Sequence, residues 1–127
     1  MANRQARGTA GKTAIGDQGT GFTQAHPDVV QRAQAWIAGI APEGYAACCE
    51  ALATSDLRES IGRIAVPTLL LAGADDPVTT VADAQAMQAS IAGSSLAVVP
   101  ASHLSNLEAP QAFEKAVVNF LAHAAKA

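Results

Sequence analysis

The hydrophobic pattern divides the chain into three parts. Residues 1–20 hold almost no large apolar side chain and follow neither a helical nor a strand period, which predicts a disordered tail. Over residues 21–64, apolar positions recur every three or four residues, as in amphipathic helices. Over residues 65–127, two short continuous apolar runs alternate with helical stretches. The pattern therefore predicts a tail, a helical segment and an α/β segment, in that order.

Three short helices are predicted over residues 21–64. The first begins at Pro27, a residue that suits the first turn of a helix, and ends near Gly39. The second begins near Glu43, and the third covers Asp56–Ile64 with its first residue as the N-cap. The apolar stripes of the three helices are formed by Val29, Val30, Ala33, Trp36, Ile37 and Ile40, then by Tyr45, Cys48, Cys49, Leu52 and Ala53, then by Leu57, Ile61 and Ile64.

Two strands and two helices are predicted over residues 65–127. Continuous apolar runs predict strands at Thr68–Leu71 and Leu96–Val99, and such runs are typical of strands buried on both faces of a parallel sheet. A helical stripe over Thr80–Ala92 lies between the strands, and another over Pro110–Ala125 follows them. The order strand, helix, strand, helix predicts parallel strands joined by a right-handed crossover. The predicted fold class is therefore α/β.

Composition and charge exclude several classes of protein. The chain has 127 residues, of which 15% are charged, with a net charge of −3 and a mean hydropathy of +0.18, which is typical of a globular domain. It has no cluster of Lys and Arg, so neither nucleic acid nor an anionic membrane is expected as a partner. No apolar run reaches the roughly 18–20 residues of a membrane span, and no secretory signal begins the chain, which predicts the cytoplasm.

Two local motifs carry no predicted chemistry. An ordinary disulfide between the neighbours Cys48 and Cys49 would be strained, so both are interpreted as reduced, buried helix residues. The segment Gly8–Thr13 (GTAGKT) is similar to a phosphate-binding loop, but neither Ala6 nor Arg7 supplies the first glycine of that motif. No apolar strand precedes it to aim the loop at a phosphate, so a flexible tail is the better interpretation.

Acidic and basic side chains follow the two predicted strands. Asp75 and Asp76 come after the first strand and His103 after the second, at the strand ends where open α/β sheets place their reacting groups. An aspartate can orient a histidine that acts as a general base. The simpler interpretation is that the aspartates cap a turn and that His103 is a polar loop residue. Their matched positions after two parallel strands favour the acid and base pair.

The sequence segments around these residues resemble those of a known family. PTLLLAGADDPVTT and VVPASHLSNLEAPQAFEKAVVNFL are similar to the C-terminal part of the α/β-hydrolase fold. EGYAACCEALATSDLRESIGRIAVPTL narrows the resemblance to 3-oxoadipate enol-lactonases of the β-ketoadipate pathway of aromatic degradation, and HPDVV resembles their cap region. The resemblance covers Phe22–His123. It implies a partial α/β-hydrolase fold, with a helical cap segment at 21–64 and the last two parallel strands with their helices at 65–127.

The resemblance also implies roles for individual residues. Asp76 takes the position of the triad acid and His103 that of the triad base, whereas Asp75 lies where the family is permissive. Trp36 belongs to the cap and is a candidate substrate contact, with plain helix packing as the alternative. His26 and His123 match no catalytic position. The family uses no metal and no organic cofactor, so none is expected.

The sequence departs from the family at the nucleophile. Such hydrolases carry G-x-S-x-G after a strand in the N-terminal half, and these 127 residues contain no such motif. Ser102, Ser105, Cys48 and Cys49 do not lie on a strand-to-helix elbow, so no nucleophile is assigned. The chain is interpreted as the C-terminal portion of an enol-lactonase-like hydrolase of small lactones or esters, inactive alone. A separate N-terminal half would have to supply the serine.

A second hypothesis needs no catalysis. Two parallel strands normally lie inside a larger sheet, and an unpaired sheet edge is a template for association. The chain would then be an interaction module that forms a homodimer or a higher oligomer through this edge.

Overall fold

The structure is a computed structural model that describes residues 21–124. The predicted tail over 1–20 and its GTAGKT segment lie outside the described residues. Seven helices and two strands form the described part: α1 (Phe22–Ala25), α2 (Pro27–Gly39), α3 (Pro42–Thr54), α4 (Arg58–Ile61), β1 (Leu69–Gly73), α5 (Val81–Ser90), β2 (Ser95–Val99), α6 (Ser105–Glu108) and α7 (Pro110–Ala124).

The two strands pair in parallel, which confirms the predicted β-α-β unit. The register runs from Leu69 opposite Ser95 to Gly73 opposite Val99, and α5 connects the strands. β1 extends two residues beyond the predicted end at Leu71. The extension consists of an alanine and a glycine, which carry no large apolar signal in the sequence but pair with the end of β2. Both strands therefore end at the same edge of the sheet.

The crossover helix α5 begins directly after Thr80, as predicted, but ends at Ser90, two residues before the predicted end at Ala92. The Thr80 side chain accepts a hydrogen bond from the Asp83 backbone N–H, while the Asp83 carboxylate accepts one from the Thr80 N–H. This reciprocal pair is a capping box. At the other end, Ile91 is 2% exposed, and Gly93 has a φ of +72° that only glycine adopts without strain. These two ends fix the positions of the strands that flank the helix.

A small apolar cluster joins the helical segment to the α/β segment. Phe22, Val30 and Ala33 are buried together, and Leu104 and Leu107 pack against them. The last two follow His103 in the chain, so α1 and α2 lie against the loop that carries this histidine. The helical segment is thereby attached next to the carboxyl ends of the strands.

Several predictions of burial are wrong. The strands are only half-buried over most of their length, and Val98 is 49% exposed. In the described part, the sheet has only two strands. The few helices packed on it do not cover all of the apolar side chains on its faces. No residue of α3 is buried. Cys48 and Cys49 are free and exposed, and side chains on the predicted apolar stripes that are found exposed include Trp36, Ile40, Leu52 and Leu57.

Two helices of four residues, α1 and α6, were not predicted from the sequence, because such lengths carry no periodic signal. The third predicted helix is also shorter than Asp56–Ile64 and covers only Arg58–Ile61. Asp56 nevertheless acts near its start, where its Oδ1 accepts a hydrogen bond from the Arg58 N–H at 3.1 Å. No helix over residues 21–124 is long and apolar enough to cross a bilayer.

Candidate active site

The turn after β1 is hydrogen-bonded to the loop after β2. The Ala74 N–H donates to the Val99 carbonyl at 2.9 Å, and the Asp75 N–H donates to the Ala101 carbonyl at 3.0 Å. These bonds continue the parallel ladder beyond the last paired residues. They bring the turn that carries Asp76 against the loop that carries the histidine.

Gly73 allows these two segments to approach closely. A Cβ at this position would lie 2.3 Å from the Ser102 carbonyl oxygen and 2.4 Å from the Ala101 carbonyl oxygen. Both atoms belong to the backbone, so no side-chain rotation could relieve the overlap. At Gly73, the loop that leads into His103 fills the space that the β-carbon of any other residue would occupy.

The carboxylate of Asp76 accepts four hydrogen bonds. Oδ1 accepts from the Val78 N–H at 2.8 Å and from the Thr79 N–H at 3.1 Å. Oδ2 accepts from the Thr79 hydroxyl at 2.6 Å and from His103 Nδ1 at 2.9 Å. The residue is 8% exposed, so the turn holds a buried carboxylate with both oxygens engaged.

These hydrogen bonds keep Asp76 ionised. Burial alone would raise its pKa, but the hydrogen bonds from the Thr79 side chain, from His103 and from the two backbone amides outweigh burial and lower the pKa to about 2. The site therefore contains a fixed negative charge at neutral pH. A carboxylate of this kind only accepts hydrogen bonds, which decides the protonation of its partner.

The arrangement fixes which ring nitrogen of His103 carries the proton. Because Asp76 Oδ2 is an acceptor, Nδ1 must be the donor, and in the neutral ring the lone pair is left on Nε2. The His103 side chain is 37% exposed, against 5% for that of Asp76, and Nε2 makes no hydrogen bond to any residue in 21–124. The pair therefore presents an oriented base whose reacting nitrogen is open.

Thr79 is part of the site and was missed by the sequence reasoning. Its hydroxyl donates to Asp76 Oδ2 and lies 3.3 Å from His103 Nδ1, so it touches both members of the pair. An aspartate followed by a threonine three residues later is a local signal for this bond, because Asp side chains commonly accept hydrogen bonds from the residues just after them.

Glu108 is a second functional candidate that the sequence reasoning missed. Its Oε2 accepts a hydrogen bond from the Ser102 N–H at 2.8 Å. Burial raises the pKa of Glu108, with the negative charges of Asp75 and Asp76 acting in the same direction. Ser102, interpreted from the sequence as a loop cap, is 1% exposed, and its hydroxyl has no hydrogen-bond partner among the described residues. The signal that could have found Glu108 is an acidic residue five positions after His103.

The remaining candidates do not join the pair. Trp36 is 64% exposed on α2 and forms no hydrogen bond with Asp76 or His103. The His26 ring lies 4.6 Å from that of Phe22, and His123 Nδ1 donates to the carbonyl of its own helix at Asn119. Over residues 21–124, no group of three or more His, Cys, Asp or Glu side chains could hold a metal ion.

We predict that Asp76 makes the stability of the protein depend on pH in acid. Its pKa falls from an ordinary 3.8 to about 2 on folding, so its contribution is complete above pH about 4 and is lost as the pH falls towards 2, a change of about 2 kcal/mol. Urea unfolding of the protein and of the Asp76→Asn variant across this range measures the contribution. The variant lacks this part of the pH dependence. Asp75→Asn is the control variant. If the free energy of unfolding falls with decreasing pH as steeply in Asp76→Asn as in the unaltered protein, the assignment to Asp76 is contradicted.

The chain is similar to two curated enzymes. No family model matches it. It is 50% identical to 3-oxoadipate enol-lactonase 2 of Acinetobacter baylyi over 97 residues, and this aligned stretch covers 76% of this chain and 36% of that protein. It is 41% identical to 3-oxoadipate enol-lactonase 1 of the same organism over 92 residues, a stretch that covers 72% of this chain and 35% of that protein. The chain therefore spans about a third of the length of the curated relatives it matches.

Solved structures show the same relationship in three dimensions. The crystal structure of the enol-lactonase from Burkholderia xenovorans LB400 superimposes with a TM-score of 0.79 at 35% identity, over 82% of this chain and 40% of that one. The chain belongs to the α/β-hydrolase family, and the partial α/β-hydrolase fold predicted from its sequence is confirmed. Within that family it resembles the C-terminal part of the 3-oxoadipate enol-lactonases.

Proposed function

We propose that the chain supplies the acid and the base of a 3-oxoadipate enol-lactonase-like ester or lactone hydrolase. The observation that carries the proposal is the 2.9 Å bond between His103 Nδ1 and Asp76 Oδ2 at the carboxyl edge of the sheet. The similarity to the two enol-lactonases of Acinetobacter baylyi supports the substrate class.

The mechanism follows from the orientation of the ring. His103 Nε2 takes the proton of a serine hydroxyl, and the serine oxygen attacks the lactone carbonyl. The ring C–O bond then breaks, and the leaving oxygen receives the proton from Nε2. A water molecule next attacks the acyl-enzyme, again losing its proton to His103, and the serine is regenerated with the release of the open-chain acid. Asp76 stabilises the imidazolium in both steps.

The serine must come from outside the present sequence, which contains no G-x-S-x-G. The hydroxyls of Ser102 and Ser105 form no hydrogen bond with His103 among the described residues, and Cys48 and Cys49 are exposed on α3. We therefore propose that the 127 residues alone do not turn over an enol-lactone. A segment that carries the nucleophile elbow completes the site.

A fusion enzyme tests this proposal. The part of Acinetobacter baylyi 3-oxoadipate enol-lactonase 2 that precedes the matched stretch is joined to this chain from Phe22 onward. We expect the fusion enzyme to hydrolyse 3-oxoadipate enol-lactone, and the 127-residue chain alone to give the background rate. A folded fusion enzyme without turnover would contradict the proposed function. Turnover by the chain alone that His103→Ala abolishes would contradict the external nucleophile.

Trp36 is proposed as a substrate contact of the same enzyme. It lies one turn beyond Ala33 on the α2 face whose buried end packs against Leu104, the residue that follows His103 in the chain. Its large exposed ring is available to cover a small lactone from the side of the helical segment. In the fusion enzyme, a substitution of Trp36 should then change KM more than substitutions of Asp76 or His103 do.

Association of copies is a second candidate function. In the part of the chain that the structure describes, β1 and β2 pair only with each other, so both outer edges are open. Strand pairing between copies would satisfy these edges and cover Val98. We expect light scattering at micromolar concentration to give the mass of a dimer or larger assembly. A monomer at that concentration would remove this candidate.

A further inference from the structure

Glu108 binds the chain on both sides of His103. Its side-chain Oε2 accepts from the N–H of Ser102, the residue before the histidine, at 2.8 Å. Its backbone N–H donates to the carbonyl of Leu104, the residue after the histidine, at 3.0 Å. One residue of α6 therefore holds both neighbours of the imidazole.

The residues around His103 are also held by other contacts: the Ala101 carbonyl accepts from the Asp75 N–H, and Leu104 packs against the apolar cluster of α1 and α2. The carbonyl oxygens of Ala101 and Ser102 lie against Gly73, which limits movement of the loop towards β1. None of these contacts involves the Ser102 N–H, which donates to Glu108. The Ser102 N–H lies in a residue that is 1% exposed. Leaving such a buried donor without an acceptor costs about 1–3 kcal/mol. The Glu108 carboxylate is the acceptor that prevents this cost.

The carboxylate lies where a negative charge is unfavourable. Burial and the charges of Asp75 and Asp76 all raise the pKa of Glu108, and its Oε1 is buried without a partner among the described residues. The negative charge of Glu108 is therefore not what favours a glutamate at this position. What the structure requires is a side chain long enough to reach from α6 to the Ser102 N–H.

We propose that Glu108 is the positioning residue of His103, holding the loop so that Nδ1 stays bonded to Asp76. Among the described residues, it forms no hydrogen bond with the His103 ring itself. Its catalytic importance rests on the proposed function above, but its effect on the ring is a property of this chain and can be measured without turnover.

Two substitutions separate reach from charge. Glu108→Asp keeps the charge but shortens the side chain by one methylene, so it cannot reach the Ser102 N–H from α6. Glu108→Gln removes the charge but keeps the length and an acceptor oxygen. Glu114→Asp, at an exposed position on α7, is the matched control for shortening.

Ring spectroscopy of the ¹⁵N-labelled chain reads the position of His103. Two-bond ¹H–¹⁵N correlations, at a pH where the imidazole is neutral, report which nitrogen carries the proton. We expect Nδ1–H in the protein, in Glu108→Gln and in Glu114→Asp, and a mixture of the two tautomers in Glu108→Asp. A tautomer unchanged in Glu108→Asp, or lost in Glu108→Gln, would overturn the proposal. Glu108→Ala repeats the test if the amide spectrum of Glu108→Asp shows an unfolded chain.

The fusion enzyme gives the catalytic consequence. A displacement of a reacting group by about 1 Å costs about 100-fold in rate, so we expect kcat to fall by about this factor in Glu108→Asp while KM stays constant. Glu108→Gln keeps kcat near that of the unaltered fusion enzyme. An unaltered fusion enzyme without activity would contradict the proposed function alone, because the tautomer measurement decides the positioning role independently.

Discussion

In the fusion enzyme, Asp76→Asn lowers kcat by about 10,000-fold, the scale known for the loss of a triad aspartate. The amide of asparagine can donate as well as accept, so Nδ1 of His103 is no longer forced to carry the proton. The proton moves to Nε2 in part of the population, and the base is lost there. The imidazolium formed in the reaction also loses the charge that faces it at 2.9 Å. The rate of enol-lactone hydrolysis measures the effect.

Asp75→Asn is the control for this experiment. It makes the same chemical change one residue earlier, but Asp75 is exposed and its side chain lies outside the network around His103. We expect kcat to change by less than about threefold, as for most exposed substitutions. Equal losses in the two variants would show that general negative charge, and not the orientation of the histidine, supports the rate.

Gly73→Ala destabilises the chain by about 3 kcal/mol, the upper part of the range for overpacked sites. The added methyl group overlaps two backbone carbonyl oxygens at 2.3 and 2.4 Å, so the loop before His103 must move away from β1. Urea unfolding of the 127-residue chain measures the loss. The same displacement moves the imidazole, so the Nδ1–H tautomer should be lost as well.

Gly44→Ala provides the comparison. Gly44 lies in α3, and a Cβ at this position meets no atom within 4 Å. Alanine is favoured over glycine inside a helix by about 0.5–1 kcal/mol, so this variant should be slightly more stable than the protein. A Gly73→Ala variant as stable as Gly44→Ala would mean that the close approach at the sheet edge is not required.

The order of the two strands and the longer helices could be predicted, because each of them leaves an apolar run or stripe in the sequence. β1, α5, β2 and α7 follow from apolar runs and stripes, and the candidate site follows from Asp76 and His103 standing after matched strands. The bond between them could not be read from the sequence, because it depends on backbone hydrogen bonds from Ala74 to Val99 and from Asp75 to Ala101, which place the turn and the loop together. Register and loop geometry decide these contacts, and neither leaves a pattern.

Burial was predicted less well, for a physical reason. An apolar stripe indicates which face of a helix would be covered but not whether a surface exists to cover it. Leu52 and Leu57 lie on predicted stripes and are 78% and 64% exposed, because no part of the chain over 21–124 packs on them. Thr79 and Glu108 were missed for a different reason. A threonine or glutamate in a loop or short helix is ordinarily a solvated residue, and the spacing of these two from Asp76 and His103 is too common in sequences to single them out without the three-dimensional contacts.

The acid and the base are only 27 residues apart and lie on a single β-α-β unit. The hydrogen bonds that join the pair, and those that hold the turn after β1 against the loop after β2, all lie within residues 73–108. The acid and base pair could thus be transferred as one segment. Recombination of this segment with a different strand that carries a nucleophile would bring both proton-transfer residues, with the hydrogen bonds between them, into the new protein. Changes of nucleophile, oxyanion hole or substrate pocket could then be made on the other side of the junction while the proton chemistry stayed intact.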